Sequence, residues 1–201
     1  MSDFTREELI RVAHHYYPVG FPVETDTPEQ PLHPYQRTAE YGRWLAAWEQ
    51  ALAWKDWDSL LDAVHEAFPG DEAGDVTQPR MAACLRCCLY RKESQADGGQ
   101  RVTRVVAAVS VLAPVYRVYV TTQAIWFRQR STPAQLFLEP PSEVRPLAGT
   151  LALLIERVLG YRPFPLPLAE VALPELRVGY LKRAQPTLLT ALLSDRLENL
   201  P

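Results

Sequence analysis

The stretch that decides the fold covers residues 81–112 and reads MAACLRCCLYRKESQADGGQRVTRVVAAVSVL. Two apolar runs enclose a polar segment that contains Asp97-Gly98-Gly99, a combination typical of a tight turn. The pattern predicts a hairpin with strands over residues 81–92 and 101–112. Valine and alanine occupy both faces of the second strand, which predicts a place in the middle of the sheet.

Further elements are predicted downstream of this hairpin. Residues 115–122 alternate as a third strand, and residues 147–159 carry an apolar helical stripe that ends at Gly160, a residue suited to a positive φ. Two apolar runs follow in the tail. We expect the first, 171–178, to be a strand, whereas the second, 187–193, fits either a strand or a helix.

Helices are predicted upstream of the hairpin. Thr5 and Glu8 have the spacing of a capping box, and Pro18 ends the helix that they begin. Two further stripes lie within residues 41–52 and 57–68, and we expect these helices to form an antiparallel pair joined near residues 54–56, with Asp56 as an N-cap. Residues 69–79 are predicted to be an acidic loop.

The order of these elements predicts an α+β fold. We expect N-terminal helices packed on a mainly antiparallel β-sheet, with one further helix between later strands. A chain of 201 residues fits a single domain over residues 1–201, helical over 1–79 and sheet-rich over 80–201. With 47% apolar and 22% charged residues, collagen, a coiled coil and a wholly disordered chain are excluded.

Features of the sequence predict a cytoplasmic protein with no membrane association. The N-terminus lacks the basic and apolar regions of a secretory signal, and no C-terminal lipidation box is present. The longest apolar run, residues 105–115, is too short to span a bilayer. All three cysteines lie within residues 84–88, without a distant partner for a disulfide, as expected for a reducing compartment.

Charge is divided unevenly along the chain. Residues 1–75 carry 15 acidic and 5 basic side chains, whereas residues 76–201 carry 9 and 16, so a net charge of −3 conceals two oppositely charged parts. Either the two parts attract each other, or one presents an acidic surface to a basic partner. Direct nucleic-acid binding is disfavoured because the basic part has no clustered patch with interleaved aromatic residues.

The acidic surface is predicted on the helix within residues 57–68. Asp58, Asp62 and Glu66 recur at every fourth residue, opposite the apolar stripe, and Asp71, Glu72 and Asp75 follow just beyond. One interpretation is an ordinary solvated helix face that keeps the protein in solution. The other is a docking surface for a cationic partner, and we take these six residues as the candidate binding site.

Candidate catalytic and metal-binding groups are weaker. Cys84 and Cys87 have CxxC spacing, but no second pair is present to complete a metal site, and we expect buried structural cysteines. His14 and His15 have no carboxylate placed beside them by spacing. No nucleophile elbow, phosphate-binding loop or dinucleotide motif occurs. We therefore predict no catalytic residue, no metal and no cofactor.

Four segments resemble the C-terminal half of small immunity proteins encoded beside polymorphic toxins in myxobacteria. They are LAPVYRVY (112–119), GYRPFP (160–165), LPELRVG (173–179) and TLLTALLSD (187–195). The resemblance implies a non-catalytic cytoplasmic protein that binds a cognate protein toxin and blocks it. An acidic surface would suit a basic toxin, and exposed aromatic residues could anchor it, namely Tyr35, Tyr41, Trp54 and Tyr180.

Two alternatives remain open. One is a small hydrolase or nucleotide-modifying enzyme that uses His14 or His15 with a carboxylate from a distant segment. The other is a structural or assembly protein that associates through a sheet edge or the leucine-rich tail. The oligomeric state is left open.

Overall fold

The computed structural model describes residues 4–21, 32–96, 98–126, 130–181 and 185–200. It contains five α-helices and seven strands within these ranges. The helices are α1 (Arg6–Tyr16), α2 (Ala39–Leu52), α3 (Lys55–Ala67), α4 (Arg145–Leu159) and α5 (Leu188–Leu192). The strands are β1 (Glu72–Asp75), β2 (Cys84–Ser94), β3 (Gln100–Ser110), β4 (Val115–Trp126), β5 (Arg130–Ser131), β6 (Gln135–Phe137) and β7 (Arg162–Pro163).

One mainly antiparallel sheet organises the fold, as predicted. Its strand order is β1-β2-β3-β4-β5, β6 also pairs antiparallel with β4, and the short β7 pairs with β4 in parallel. The predicted hairpin is β2–β3, and Gly98 adopts a φ of +79° in its turn. The central place predicted for the second strand of this hairpin is confirmed, because β3 lies between β2 and β4.

Local signals placed two of the helices correctly. The Thr5–Glu8 capping box is present at the start of α1, where Thr5 Oγ1 accepts from the Glu8 amide at 3.2 Å. Gly160 follows α4 with a φ of +67°, the left-handed conformation that glycine tolerates best. The further helix between later strands is therefore α4, which lies between β6 and β7 in the chain.

The predicted antiparallel pair of helices is wrong. Among the described residues, α2 packs mainly against α1, and α3 packs mainly against α4. Asp56 is not the N-cap of α3. Trp54 takes that position without a side-chain hydrogen bond, and Asp56 lies in the first turn, where it accepts from Trp54 Nε1 at 3.2 Å.

Two connections also differ from expectation. The predicted acidic loop contains β1, which forms the outer strand beside β2. Residues 171–178 form no strand in the described chain. They contribute only isolated bridges, Val19–Leu176 and Ala172–Thr187. The second tail segment is helical, because Thr187 caps α5 by accepting from the Thr190 amide.

The two faces of the sheet are covered by different parts of the chain. Tyr116 in β4 donates to Glu156 Oε1 of α4 at 2.7 Å, so this face carries the helix. Tyr119 points to the opposite face, since side chains alternate along a strand, and it donates to Leu197 O at 2.7 Å. We call residues 194–200, which lie on that second face, the C-terminal segment.

A buried arginine holds the C-terminal segment in place. Arg86 in β2 is 3% exposed. Its guanidinium donates to Ser194 Oγ at 2.7 Å and to Asn199 O at 2.9 Å. Both sheet faces are therefore internal surfaces of the fold. No helix in the described ranges has the length and apolar character needed to cross a membrane.

Candidate functional site

The acidic line is formed by Asp58, Asp62 and Glu66 on α3. All three side chains are exposed, whereas the other side of the helix buries Trp57, Leu60 and Val64 against the core. The predicted opposition of an apolar and an acidic side is thus present. Within the described part of the chain, none of the three carboxylates makes an ion pair or a hydrogen bond, so their charges face solvent.

Two of the acidic residues beyond the helix are paired internally. Asp71 accepts from Arg91 Nε at 3.2 Å, and Glu72 accepts from Lys92 Nζ at 2.6 Å. Both basic residues belong to β2, the strand beside β1. The acidic and basic parts of the chain therefore do attract each other at this point. These contacts lower the negative potential that Asp71 and Glu72 add to the surface.

Asp75 has a structural contact. Its Oδ2 accepts from Trp57 Nε1 at 3.0 Å, and its Oδ1 accepts from the Thr77 amide at 2.7 Å. The carboxylate thereby links α3 to the end of β1. Of the six predicted site residues, the acidic line is free of internal partners, and the other three are engaged within the fold.

A second candidate site is an aromatic pocket of about 260 Å³. It brings together residues from α1, α2, the segment around Tyr35, the loop before β2 and the segment before α5. Six aromatic side chains contribute to its lining: Tyr16, Tyr17, Tyr35, Tyr41, Trp44 and Tyr180. None of the six predicted acidic residues lines it.

Ring contacts hold one side of the aromatic pocket together. Tyr41 stacks on Trp44 with ring centroids 5.7 Å apart, and Tyr35 meets Tyr41 edge to face at 5.5 Å. Arg177 is buried, and its guanidinium carbon lies 4.8 Å from the centroid of the Tyr35 ring. Gly179 permits the close approach of Tyr35, because a Cβ at this position would lie 3.0 Å from the tyrosine ring.

Two tyrosine hydroxyls are fixed on the other side of the pocket. Tyr17 donates to Ala191 O at 2.7 Å, and Tyr180 donates to Thr190 O at 2.6 Å. Burial raises the pKa of both hydroxyls, so both remain neutral at physiological pH. Their donor hydrogens point to backbone carbonyls and are therefore not available to a ligand.

The aromatic pocket was missed from the sequence, although some of its residues were singled out. Tyr35, Tyr41 and Tyr180 were expected to be exposed anchors for a partner. Tyr35 is in fact buried, and Tyr41 and Tyr180 are half-buried. Trp54, the fourth expected anchor, is also half-buried and lies near Tyr161, with ring centroids 5.5 Å apart. The one available signal was the density of tyrosine in the helical part and the tail.

The cysteines are internal, as predicted. All three are free and buried, and the strand register places Cys84 and Cys88 on one face and Cys87 on the other. Burial raises the pKa of the Cys87 and Cys88 thiols to about 12, which keeps them protonated and unreactive. Within the described ranges, no three His, Cys, Asp or Glu side chains are grouped to hold a metal ion.

His14 has a carboxylate partner that sequence spacing could not reveal. Its Nε2 lies 3.2 Å from Glu175 Oε1, in a segment far along the chain. The two side chains are 39% and 41% exposed, so the pair lies on the surface. His15 meets Tyr16 edge to face and has no described carboxylate contact. Neither histidine lines the aromatic pocket.

Comparisons with known proteins found no matching family model, no matching curated protein and no matching solved structure. The resemblance to immunity proteins therefore stays a prediction, and function is inferred from the two candidate sites.

Proposed function

We propose that this chain is an immunity-type binding protein that acts in the cytoplasm and neutralises a cognate basic toxin by direct contact. The observation that carries the proposal is the acidic line of Asp58, Asp62 and Glu66, which is exposed and without internal partners. The contacting surface is the solvent side of α3. The proposal involves no catalytic step and no cofactor.

The acidic line fits docking better than it fits folding. Like charges at i and i+4 on a helix destabilise it by a few tenths of a kcal/mol per pair. No lysine or arginine follows within α3 to offset this cost. Replacement of the three acids by their amides should therefore leave the free energy of unfolding unchanged or raise it slightly. Such residues serve the protein only if something outside the chain uses their charge.

Unpaired surface charges act at a distance. Their field extends over a Debye length, about 8 Å at physiological salt, and it can raise the rate of association with an oppositely charged protein by tenfold or more. An immunity protein requires fast capture because the toxin acts on the same cell. Asp71 and Glu72 contribute less to this field, since Arg91 and Lys92 lie against them.

The test is protection of a bacterial host in which this chain is produced together with the toxic product of the adjacent upstream gene. One variant reverses the acidic line: Asp58→Lys, Asp62→Lys and Glu66→Lys. The matched control makes the same change of charge at three exposed glutamates on other elements: Glu49→Lys, Glu93→Lys and Glu170→Lys. Circular dichroism and urea unfolding establish that both variants are folded.

Three results are expected together. The unaltered chain and the control variant protect the host, the acidic-line variant does not, and the association rate of the unaltered chain falls as salt is added. Equal protection by both variants would show that the acidic line is not the contact surface. A neighbouring gene product without toxicity, or full toxicity in the presence of the unaltered chain, would refute the immunity function itself.

A second candidate function rests on the contact between His14 and Glu175. A histidine held by a carboxylate can act as a general base, and this pair is the distant-carboxylate arrangement that the enzyme alternative requires. Its exposure on the surface argues for a weaker claim, since general bases usually act in sites that exclude water. Under this alternative, His14→Asn would abolish an activity that the acidic-line variant retains.

A further inference from the structure

The aromatic pocket has features that the proposed docking surface does not require. It is concave and mostly apolar, and it is built from separate parts of the chain. Such pockets with a few convergent polar groups are the usual form of small-molecule sites. Its volume of about 260 Å³ corresponds to about nine water molecules in the liquid, enough for a ligand of one or two rings.

The charge of the lining selects the sign of the ligand. Arg80 and Arg177 both line the pocket, and the described lining residues include no aspartate or glutamate. Aromatic cages commonly bind cations over their rings. Here Arg177 already occupies that position over Tyr35, at 4.8 Å from the ring centroid. A cationic ligand would meet two like charges, whereas an anionic ligand would be attracted by both.

An indole donor at the pocket lacks a hydrogen bond. Trp44 is 5% exposed, and its Nε1 has no acceptor among the described residues. The indole slightly opposes the rise in the pKa of Tyr17, so the two groups are near each other, but they do not meet hydrogen-bond geometry. A buried donor without a partner costs free energy, and a ligand acceptor would remove that cost.

The backbone of Arg80 is strained at the pocket. Its φ of +64° is the one positive φ of a non-glycine residue in the described chain. The left-handed conformation costs an arginine about 1–2 kcal/mol, and strain of this kind is concentrated at ligand-binding positions. The strain holds this charged residue where it lines the aromatic pocket.

We infer that the aromatic pocket binds a small planar aromatic carboxylate. The ring would lie among Tyr35, Tyr41 and Trp44. The carboxylate would accept from the Trp44 indole and be attracted by Arg80 and Arg177. This inference goes beyond the proposed function and does not depend on it, because the acidic line and the aromatic pocket share no residue.

The experiment compares 2-naphthoate with its uncharged analogue 2-naphthamide, titrated into the ¹⁵N-labelled protein. The readout is the indole N–H resonance of Trp44, which is assigned by its loss in Trp44→Phe. We expect saturable shifts of this resonance with 2-naphthoate and at least tenfold weaker binding of 2-naphthamide. Equal binding of the two compounds, or no shift of the Trp44 resonance, would refute the inference.

Two variants test the polar groups separately. Trp44→Phe retains an aromatic ring and removes the donor, so it should weaken 2-naphthoate binding about fivefold, the worth of one hydrogen bond. Arg80→Gln should weaken it by a similar factor, whereas the exposed Arg101→Gln, the matched control for loss of one positive charge, should not. Equal affinities of the two arginine variants would contradict the role assigned to Arg80.

The acidic-line variant separates this inference from the proposed function. It should bind 2-naphthoate as tightly as the unaltered chain even though it fails to protect the host. Loss of 2-naphthoate binding in this folded variant would overturn the inference, because it would place the ligand at α3 and not at the aromatic pocket.

Discussion

Replacement of Arg86 by methionine should release the C-terminal segment from the sheet. The guanidinium makes two close hydrogen bonds, to Ser194 Oγ and Asn199 O, and a longer one to Arg196 O at 3.4 Å. Methionine approximates the length and volume of the arginine stem but provides no donor. The free acceptors fare differently: the Asn199 and Arg196 side chains are exposed, whereas Ser194 is buried.

The expected loss of stability follows from these contacts. A hydrogen bond to a charged group contributes about 1.5–3 kcal/mol, and two such bonds are lost here. Part of the loss is offset, because removal of a buried guanidinium also removes its desolvation cost. We expect a net loss of about 2–4 kcal/mol. For a chain of this size, that corresponds to a fall in Tm of roughly 4–16 °C.

Urea unfolding measures the loss, and hydrogen exchange of the amides in residues 194–200 locates it. Arg101→Met serves as the control, because Arg101 is an exposed arginine on the neighbouring strand. The Arg86 variant should exchange the amides of the C-terminal segment faster than the core amides. A loss below about 0.5 kcal/mol, or unchanged exchange in this segment, would refute the assignment of Arg86 as its main attachment.

Tyr119 provides an internal check on the same reasoning. Tyr119→Phe removes only the hydrogen bond to Leu197 O and should cost about 1 kcal/mol. If both residues hold one segment, the second substitution has less to release once the first is made. The double variant should then lose about 0.5–1 kcal/mol less than the two single losses combined. Simple additivity would mean that the two contacts act independently.

Two further predictions concern α3 and the cysteines. Asp75→Ala should cost about 1–2 kcal/mol in urea unfolding, because Trp57 Nε1 and a backbone amide lose their acceptor, whereas Asp62→Ala should cost less than about 0.5 kcal/mol. Burial raises the pKa of the Cys87 and Cys88 thiols from 9.0 to about 12, so the folded state disfavours the thiolates. Their contribution to stability should be constant below about pH 9 and should fall between about pH 9 and 12, by about 1.4 kcal/mol per pH unit for each thiol. Unfolding followed against pH should show a shallower decline in Cys87→Ala, and an identical slope would contradict this account.

The sheet could be predicted because its signals are local. The alternation in residues 100–110 and the glycine turn before them specify a hairpin without reference to the rest of the chain. Residues 171–178 were assigned wrongly because an apolar run becomes a strand only if a sheet edge is available to it. The described edges of β4 pair with β5, β6 and β7, and this run packs as irregular chain.

The candidate sites divide in the same way. The acidic line could be predicted because helical spacing alone places Asp58, Asp62 and Glu66 on one side. The pairing of Asp71 with Arg91 could not, because it depends on the register of β1 against β2. The aromatic pocket depends on contacts between segments that are far apart in the chain, and no spacing rule relates Tyr41 to Tyr180.

The position of the C-terminal segment has a consequence for biosynthesis. A ribosome has completed β4 roughly 70 residues before it reaches Ser194, which at about 5–20 residues per second is an interval of roughly 4–14 s. Throughout that interval, Arg86 and Tyr119 lack the partners that they have in the finished protein. The nascent sheet is then a substrate for chaperones, and the native state is reached only after translation has passed this point.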